Sequence, residues 1–237
     1  MNFRHCWILV LLAVIVVGYT ILTSAAATES GSSSEVVMLG SDELVAGIPG
    51  EGELTLDQIK TWLDDARNHR VLTPMLPPGL AAGVTEIQGL GTNPLTRAKI
   101  ELGRQLYFDG RLSSDGSISC ATCHDPAHGY ADDTAVSFGV GNQAGGRNSP
   151  TAMNRILSNE QFWDVRAATL EDQAVGPIAN PVEMSNTHDS CVECIGGVEG
   201  YRVQFERIFS DGLTIDNVAK AIASFERAIV TDTTPWD

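Results

Sequence analysis

Apolar and polar positions divide the chain unevenly. From Trp7 to Leu22 the residues are almost continuously apolar, preceded by Arg4 and His5 and followed by Thr23-Ser24-Ala25-Ala26-Ala27. That is the order of a basic start, a hydrophobic stretch and a small-residue cleavage site, so residues 1–27 read as a signal peptide. The run is also near the shortest length that spans a bilayer, so an uncleaved membrane anchor is the second reading. Cys6 precedes the run and offers no lipid-attachment site. Residues 28–92 read as a tether, rich in Gly, Ser and acids up to 52. Within it, Leu56, Ile59, Leu63 and Ala66 fall at helical spacing and predict a helix at 55–70. Three prolines and several glycines between Thr73 and Asn93 then redirect the backbone.

The folded domain is expected at 93–237. Leu95, Ala98, Leu102 and Leu106 line one face of a helix that Asp109-Gly110 breaks. Short helices are expected at 150–157 and 170–175, the second interrupted by Pro177 and Pro181. Stronger helices are expected at 201–209 and 216–230, the latter with Val218, Ala219, Ile222, Phe225 and Ile229 as its buried stripe. No internal repeat and no sustained alternation of a large sheet occurs, so the fold class is mainly α, with long loops, behind the N-terminal signal or anchor helix.

Composition narrows the partners. Thirty acidic against fifteen basic side chains give a formal charge of −15. That balance argues against a nucleic-acid surface and favours cationic small proteins. Apart from Cys6 the cysteines fall in two pairs, Cys120/Cys123 and Cys191/Cys194, too few for a disulfide-dense scaffold.

The sharpest chemical signal is Cys120-Ala121-Thr122-Cys123-His124. C-x-x-C-H supplies two thiols for covalent attachment of one haem c and an adjacent imidazole for its iron. Export to an oxidising compartment, the periplasm or its equivalent, agrees with that reading. A disulfide beside an incidental His, or zinc held by Cys120, Cys123, His124 or His128, are the alternatives. His128, four residues past His124, reads as a neighbour of the attachment loop and not as a distal ligand.

Around this motif, in order, stand Asn93-Pro94-Leu95-Thr96, Leu102-Gly103-Arg104-Gln105-Leu106-Tyr107-Phe108-Asp109, Gly146-Arg147-Asn148-Ser149-Pro150-Thr151, Phe162-Trp163-Asp164-Val165-Arg166 and Ala223-Ser224-Phe225-Glu226-Arg227. In these phrases the stretch from Asn93 to Asp237 resembles the N-terminal, peroxidatic haem half of the bacterial di-haem cytochrome c peroxidases and the related methylamine-utilisation di-haem enzymes. The resemblance implies a cytochrome c-like helical domain. It implies that His124 is the proximal iron ligand, that Trp163 stands between two haems, and that Gln173 and Glu183 lie on the peroxide side. Asn148 resembles the side-chain calcium ligand near the boundary between the family's two domains, which implies calcium at a domain interface.

Two departures from the family pattern matter. Where some members carry a removable distal histidine, the aligned residue here is Val140, so the resemblance implies an open iron position. No second C-x-x-C-H follows, and Cys191-Val192-Glu193-Cys194-Ile195 lacks the histidine and comes too early. That pair reads as a disulfide, as free thiols or as a metal-binding pair. The second haem domain is therefore expected to be absent and supplied by a separately encoded partner. The expected reaction is reduction of hydrogen peroxide to water with electrons from a small cytochrome c or blue-copper protein. The alternatives are a one-haem electron-transfer module and a truncated, non-catalytic interaction protein.

Overall fold

The computed structural model describes residues 34–50, 52–233 and 235. The leader or anchor expected at 1–27 lies outside the described residues. Among those described, no helix is long and apolar enough to cross a membrane.

The elements in chain order are β1 (Glu35–Met38), α1 (Asp42–Val45), α2 (Leu56–Asp64), β2 (Leu72–Met75), α3 (Arg97–Tyr107), α4 (Cys120–Cys123), β3 (Phe138–Gly139), β4 (Gln143–Ala144), α5 (Leu170–Ala179), α6 (His188–Gly196), α7 (Glu199–Ile208) and α8 (Ile215–Ala228). β1 and β2 pair in parallel and β3 and β4 antiparallel. The fold is mainly helical, as the periodicity predicts. Threonine opens most of the longer helices. Thr96, Thr169, Thr187 and Thr214 each accept the amide of the third helical residue of α3, α5, α6 and α8, and Thr55 with Gln58 forms a capping box on α2. Each such cap is worth about 1 kcal/mol.

The centre is the crossing of α3 and α8, the most extensively packed helix pair. Leu102, Leu106, Ala221, Ile222 and Phe225 are buried there, and the rings of Tyr107 and Phe225 meet edge to face with centroids 5.2 Å apart. Gly103 permits the approach, because a Cβ at that position would run into the Ala221 carbonyl. α5 lies across α8 and is fastened by a buried ion pair. Arg227 Nη1 and Nη2 donate to Glu171 Oε1 and Oε2 at 2.6 and 2.9 Å, and Asn93 Nδ2 donates to the same carboxylate at 2.8 Å.

The segment expected to be a tether is largely folded onto this body. Val37, Leu39, Leu44 and Leu72 join the same core as α3 and α8. The Arg97 guanidinium, almost fully buried, donates to Glu35 at 2.8 and 2.9 Å and to Glu43 at 2.8 Å. The acids that made this stretch look solvated are thus partners for a cation of the domain. The helix expected at 55–70 ends at Asp64 and passes into a 3-10 turn, Ala66–His69. At 150–157 only the 3-10 turn Arg155–Leu157 forms, because Asn154 enters it with φ of +61°. Conversely, α5 runs through Pro177 to Ala179. Proline there removes the N–H that would have bonded the Gln173 carbonyl, near the C-terminal end of the helix.

Candidate functional site

α4 is a single turn. Its capping box joins Ser119 to Thr122, with Ser119 N–H donating to Thr122 Oγ1 at 2.9 Å. One turn places Cys120 and Cys123 on one side, three residues apart. His124 then leaves the helix with φ −127° and ψ 68° while its amide still bonds the Cys120 carbonyl. All three side chains thereby line one cavity of about 630 Å³. Both thiols are free, and burial pushes both above the usual thiol range.

The imidazole is oriented by its own backbone surroundings. His124 Nδ1 lies 2.8 Å from the Pro150 carbonyl oxygen. A carbonyl only accepts, so Nδ1 carries the proton and Nε2 keeps its lone pair. Burial holds this imidazole below its usual range, so it stays neutral. Tyr107 Oη donates to the His124 carbonyl at 3.2 Å, tying the attachment loop to α3.

The facing wall comes from α5 and the loops around it. Leu170, Gln173, Ala174 and Pro177 line the cavity from α5, with Val182, Glu183 and Met184 just beyond it. Gln173 and Glu183 both line this cavity. Asn180 Nδ2 donates to Glu183 Oε1 at 3.0 Å, and burial pushes the Glu183 carboxyl above its usual range despite Arg166 and Asn180. Gly139 closes this corner. A Cβ on it would strike the carbonyls of Val182 and Glu183, and the next residue, Val140, donates its amide to the Glu183 carbonyl at 2.8 Å.

Trp163 stands on the rim, 65% exposed, with its Nε1–H donating to the Asn148 carbonyl at 3.0 Å. Its turn is strained: Phe162 and Val165 have φ of +66° and +53°, and for β-branched Val that conformation is costly. The turn is held by the bond from Gln161 N–H to the Ala167 carbonyl, by Arg166 stacked 3.4 Å from the Phe162 ring centroid, and by Asp164. Arg147 and Arg166 bind that carboxylate at 2.8 and 2.7 Å and hold it down at about 2.

Asn148 also lines the cavity. Its Nδ2 donates to the carbonyls of Asp132 and Thr134 at 3.0 and 2.7 Å, so the amide fastens its own loop and those bonds leave Oδ1 unused. His128 lies outside the cavity lining, bonded to Asp125 at 3.1 Å. Cys191, buried, and Cys194, exposed, are both free thiols on α6 and take no part in the cavity. Among the described residues no three His, Cys, Asp or Glu side chains converge as a metal-ion cage.

Two further polar residues line the cavity, Arg155 and Glu226. Arg155 lines it while bound to Gln161 Oε1 at 2.9 and 2.6 Å. Glu226 lines it as a buried acid whose Oε2 has no partner. Its position was legible, since Glu226 falls four residues after Ile222 and three before Ile229, on the apolar stripe of α8.

Two thiols one turn apart and a following imidazole with a free Nε2, in a cavity under a crossed helix pair, define a c-type haem protein. The residues fit that group: thiols reach the cavity unpaired, and the imidazole is in the tautomer that ligates iron. The family model for di-haem cytochrome c peroxidase matches residues 97–237, and the chain belongs to that family. It is 41% identical to the cytochrome c551 peroxidase of Nitrosomonas europaea over 67% of this chain and 48% of the other. It is 42% identical to the cytochrome c peroxidase Ccp of Escherichia coli over 61% of this chain and 31% of the other. With the methylamine utilization protein MauG of Methylophilus methylotrophus it shares 38% identity over 62% and 44%. The chain thus spans about half the length of the first of these relatives and less of the others. Among solved structures, a MauG-like protein associated with microbial copper homeostasis matches with a TM-score of 0.55 and 28% identity, over 59% of this chain and 42% of that one.

Proposed function

We propose that this chain supplies the peroxide-reducing haem half of a cytochrome c peroxidase. One haem c is attached through Cys120 and Cys123 with His124 as proximal ligand, and H2O2, two protons and two electrons give two waters. The observation that carries the reading is that Cys120, Cys123, His124, Gln173 and Glu183 all line one cavity. When bound, the haem supplies an iron that takes peroxide and passes electrons to it. The rest falls to the chain.

The Pro150 carbonyl holds His124 with Nε2 free, the nitrogen that would ligate the haem iron. Glu183 handles the proton. Its Oε1 is occupied by Asn180, so Oε2 is the oxygen that takes a proton from one peroxide oxygen and returns it to the other. Burial, opposed by Arg166 and Asn180, raises this carboxyl above its usual range, which suits it to hold and release a proton. The Gln173 amide orients the substrate oxygens by hydrogen bonding. Val140 offers no ligating atom, which supports an iron open to peroxide without prior ligand release. Trp163, exposed on the rim, is the electron entry from a second haem domain. Asn148 Oδ1 is an oxygen suited to calcium at that junction.

The electrons come from a small cytochrome c or blue-copper protein, and the −15 charge favours a basic one. The haem is loaded after export to the periplasm, with residues 7–22 either removed or retained as the tether to the membrane.

Expression with haem-c maturation machinery, followed by peroxide turnover with and without a haem-bearing partner, tests the reading. Donor-dependent turnover with the partner supports it. A loaded haem that cycles oxidation state but turns over no peroxide in any mixture supports an electron-transfer module instead.

A further inference from the structure

Glu226 has no part in the scheme above. It is 6% exposed on the inner stripe of α8, lines the same cavity as Cys120 and His124, and its Oε2 has no hydrogen-bond partner. Such an atom is rare, because a buried carboxylate normally keeps a cation or several donors. The cations near Glu226 are engaged elsewhere. Arg227, its neighbour on α8, is bound in a two-pronged pair to Glu171 of α5. Arg155, from the 3-10 turn beneath, is bound to Gln161. Tyr107 of α3 and Cys120 of α4 feel the Glu226 charge and present neutral groups to it. Burial, opposed by Arg227 and Arg155 and reinforced by Glu171, pushes the Glu226 carboxyl up to about 8.

We propose that Glu226 is the proton partner of electron transfer in this domain: the carboxylate takes up a proton when the haem iron held by His124 gains an electron, and gives it back on oxidation. The inference rests on the haem c reading above. The step balances. Ferric iron gains one electron from a one-electron redox protein or mediator, the carboxylate gains one proton from bulk water, and the net charge of the cavity is unchanged. In a water-poor site that compensation matters, because an added charge is poorly screened there. A carboxyl already paired with a fixed cation would be too firmly ionised to respond, and an exposed one would be screened. Glu226 is neither.

The test is a potentiometric titration of the haem-loaded protein from neutral to mildly alkaline pH, in the native form, in Glu226→Gln and in Glu183→Gln. The Glu183 variant separates the second acid of the cavity. The midpoint potential of the native protein and of Glu183→Gln should fall as pH rises. The steepest slope should approach about 59 mV per pH unit, the one-electron equivalent of a tenfold change in proton activity. In Glu226→Gln that slope should be lost. Retention of the native slope in Glu226→Gln overturns the proposal. If that variant fails to load haem, reduced-minus-oxidised infrared spectra of haem-loaded Glu183→Gln with isotope-labelled glutamate decide. A protonated-carboxyl C=O band gained on reduction supports the proposal, and no such band overturns it. Failure of the native chain to bind haem would instead count against the functional reading.

Discussion

His124 Nδ1 lies 2.8 Å from the carbonyl oxygen of Pro150, and that one bond fixes which ring nitrogen faces the cavity. It joins the attachment motif to the Arg147–Thr151 loop, so the imidazole is set by backbone and not by a titrating acid. Haem-loaded His124→Gly should keep its thioether links but lose the axial nitrogen, and added imidazole should restore the native optical spectrum. Unchanged ligation in the variant would remove His124 from the iron.

Glu183→Gln should lower peroxide turnover about 100-fold or more with the haem spectrum retained, since general acid–base groups contribute about 10²–10⁴-fold. Gln173→Ala should lower it less. Steady-state assays with the partner present check both, and full activity in Glu183→Gln would contradict the assigned role.

The Arg227–Glu171 pair is a folding determinant with a defined pH window. Burial alone would raise the Glu171 carboxyl, but the hydrogen bond and charge of Arg227, with Asn93, bring it below its usual value of 4.5. A depressed carboxyl stabilises above the unfolded value, and that stabilisation is lost as pH falls through the folded one. Glu171→Gln should cost about 3–5 kcal/mol at neutral pH by leaving Arg227 buried without its partner. It should also remove part of the acid limb of the stability profile. Thermal denaturation against pH measures both.

Gly103→Ala should destabilise by about 1–3 kcal/mol or more, because α8 must retreat from the Ala221 carbonyl contact. Chemical denaturation checks the loss, and a neutral substitution would mean that the helices do not cross as described.

Trp163→Phe should slow donor-supported reduction while leaving stability within about 0.5 kcal/mol, as for an exposed side chain. Stopped-flow reduction by the partner, beside a melting curve, separates the two effects.

Much of this was legible in the chain. The stripes of α3 and α8 mark the crossing, and the spacing of Cys120, Cys123 and His124 marks the attachment turn. Residues 35–50 were not legible as folded structure, because their acids look solvated until Arg97, 62 residues past Glu35, is seen to bind Glu35 and Glu43. α6 escaped notice because it buries only Cys191 and Ile195. In the site, Gln173 and Glu183 came from the resemblance, whereas the Pro150 bond depends on a backbone carbonyl that no side-chain pattern encodes. The stripe of α8 marks Glu226 as buried, but nothing in the sequence shows that its Oε2 has no partner.

The most direct test of the account is the intact mass of the protein after expression with haem-c maturation machinery, for the native chain and for Cys120→Ala/Cys123→Ala. The account predicts one haem per native chain, resistant to denaturation, and none held covalently by the double variant. A folded native chain without covalent haem, or a double variant that still carries it, would contradict the central claim.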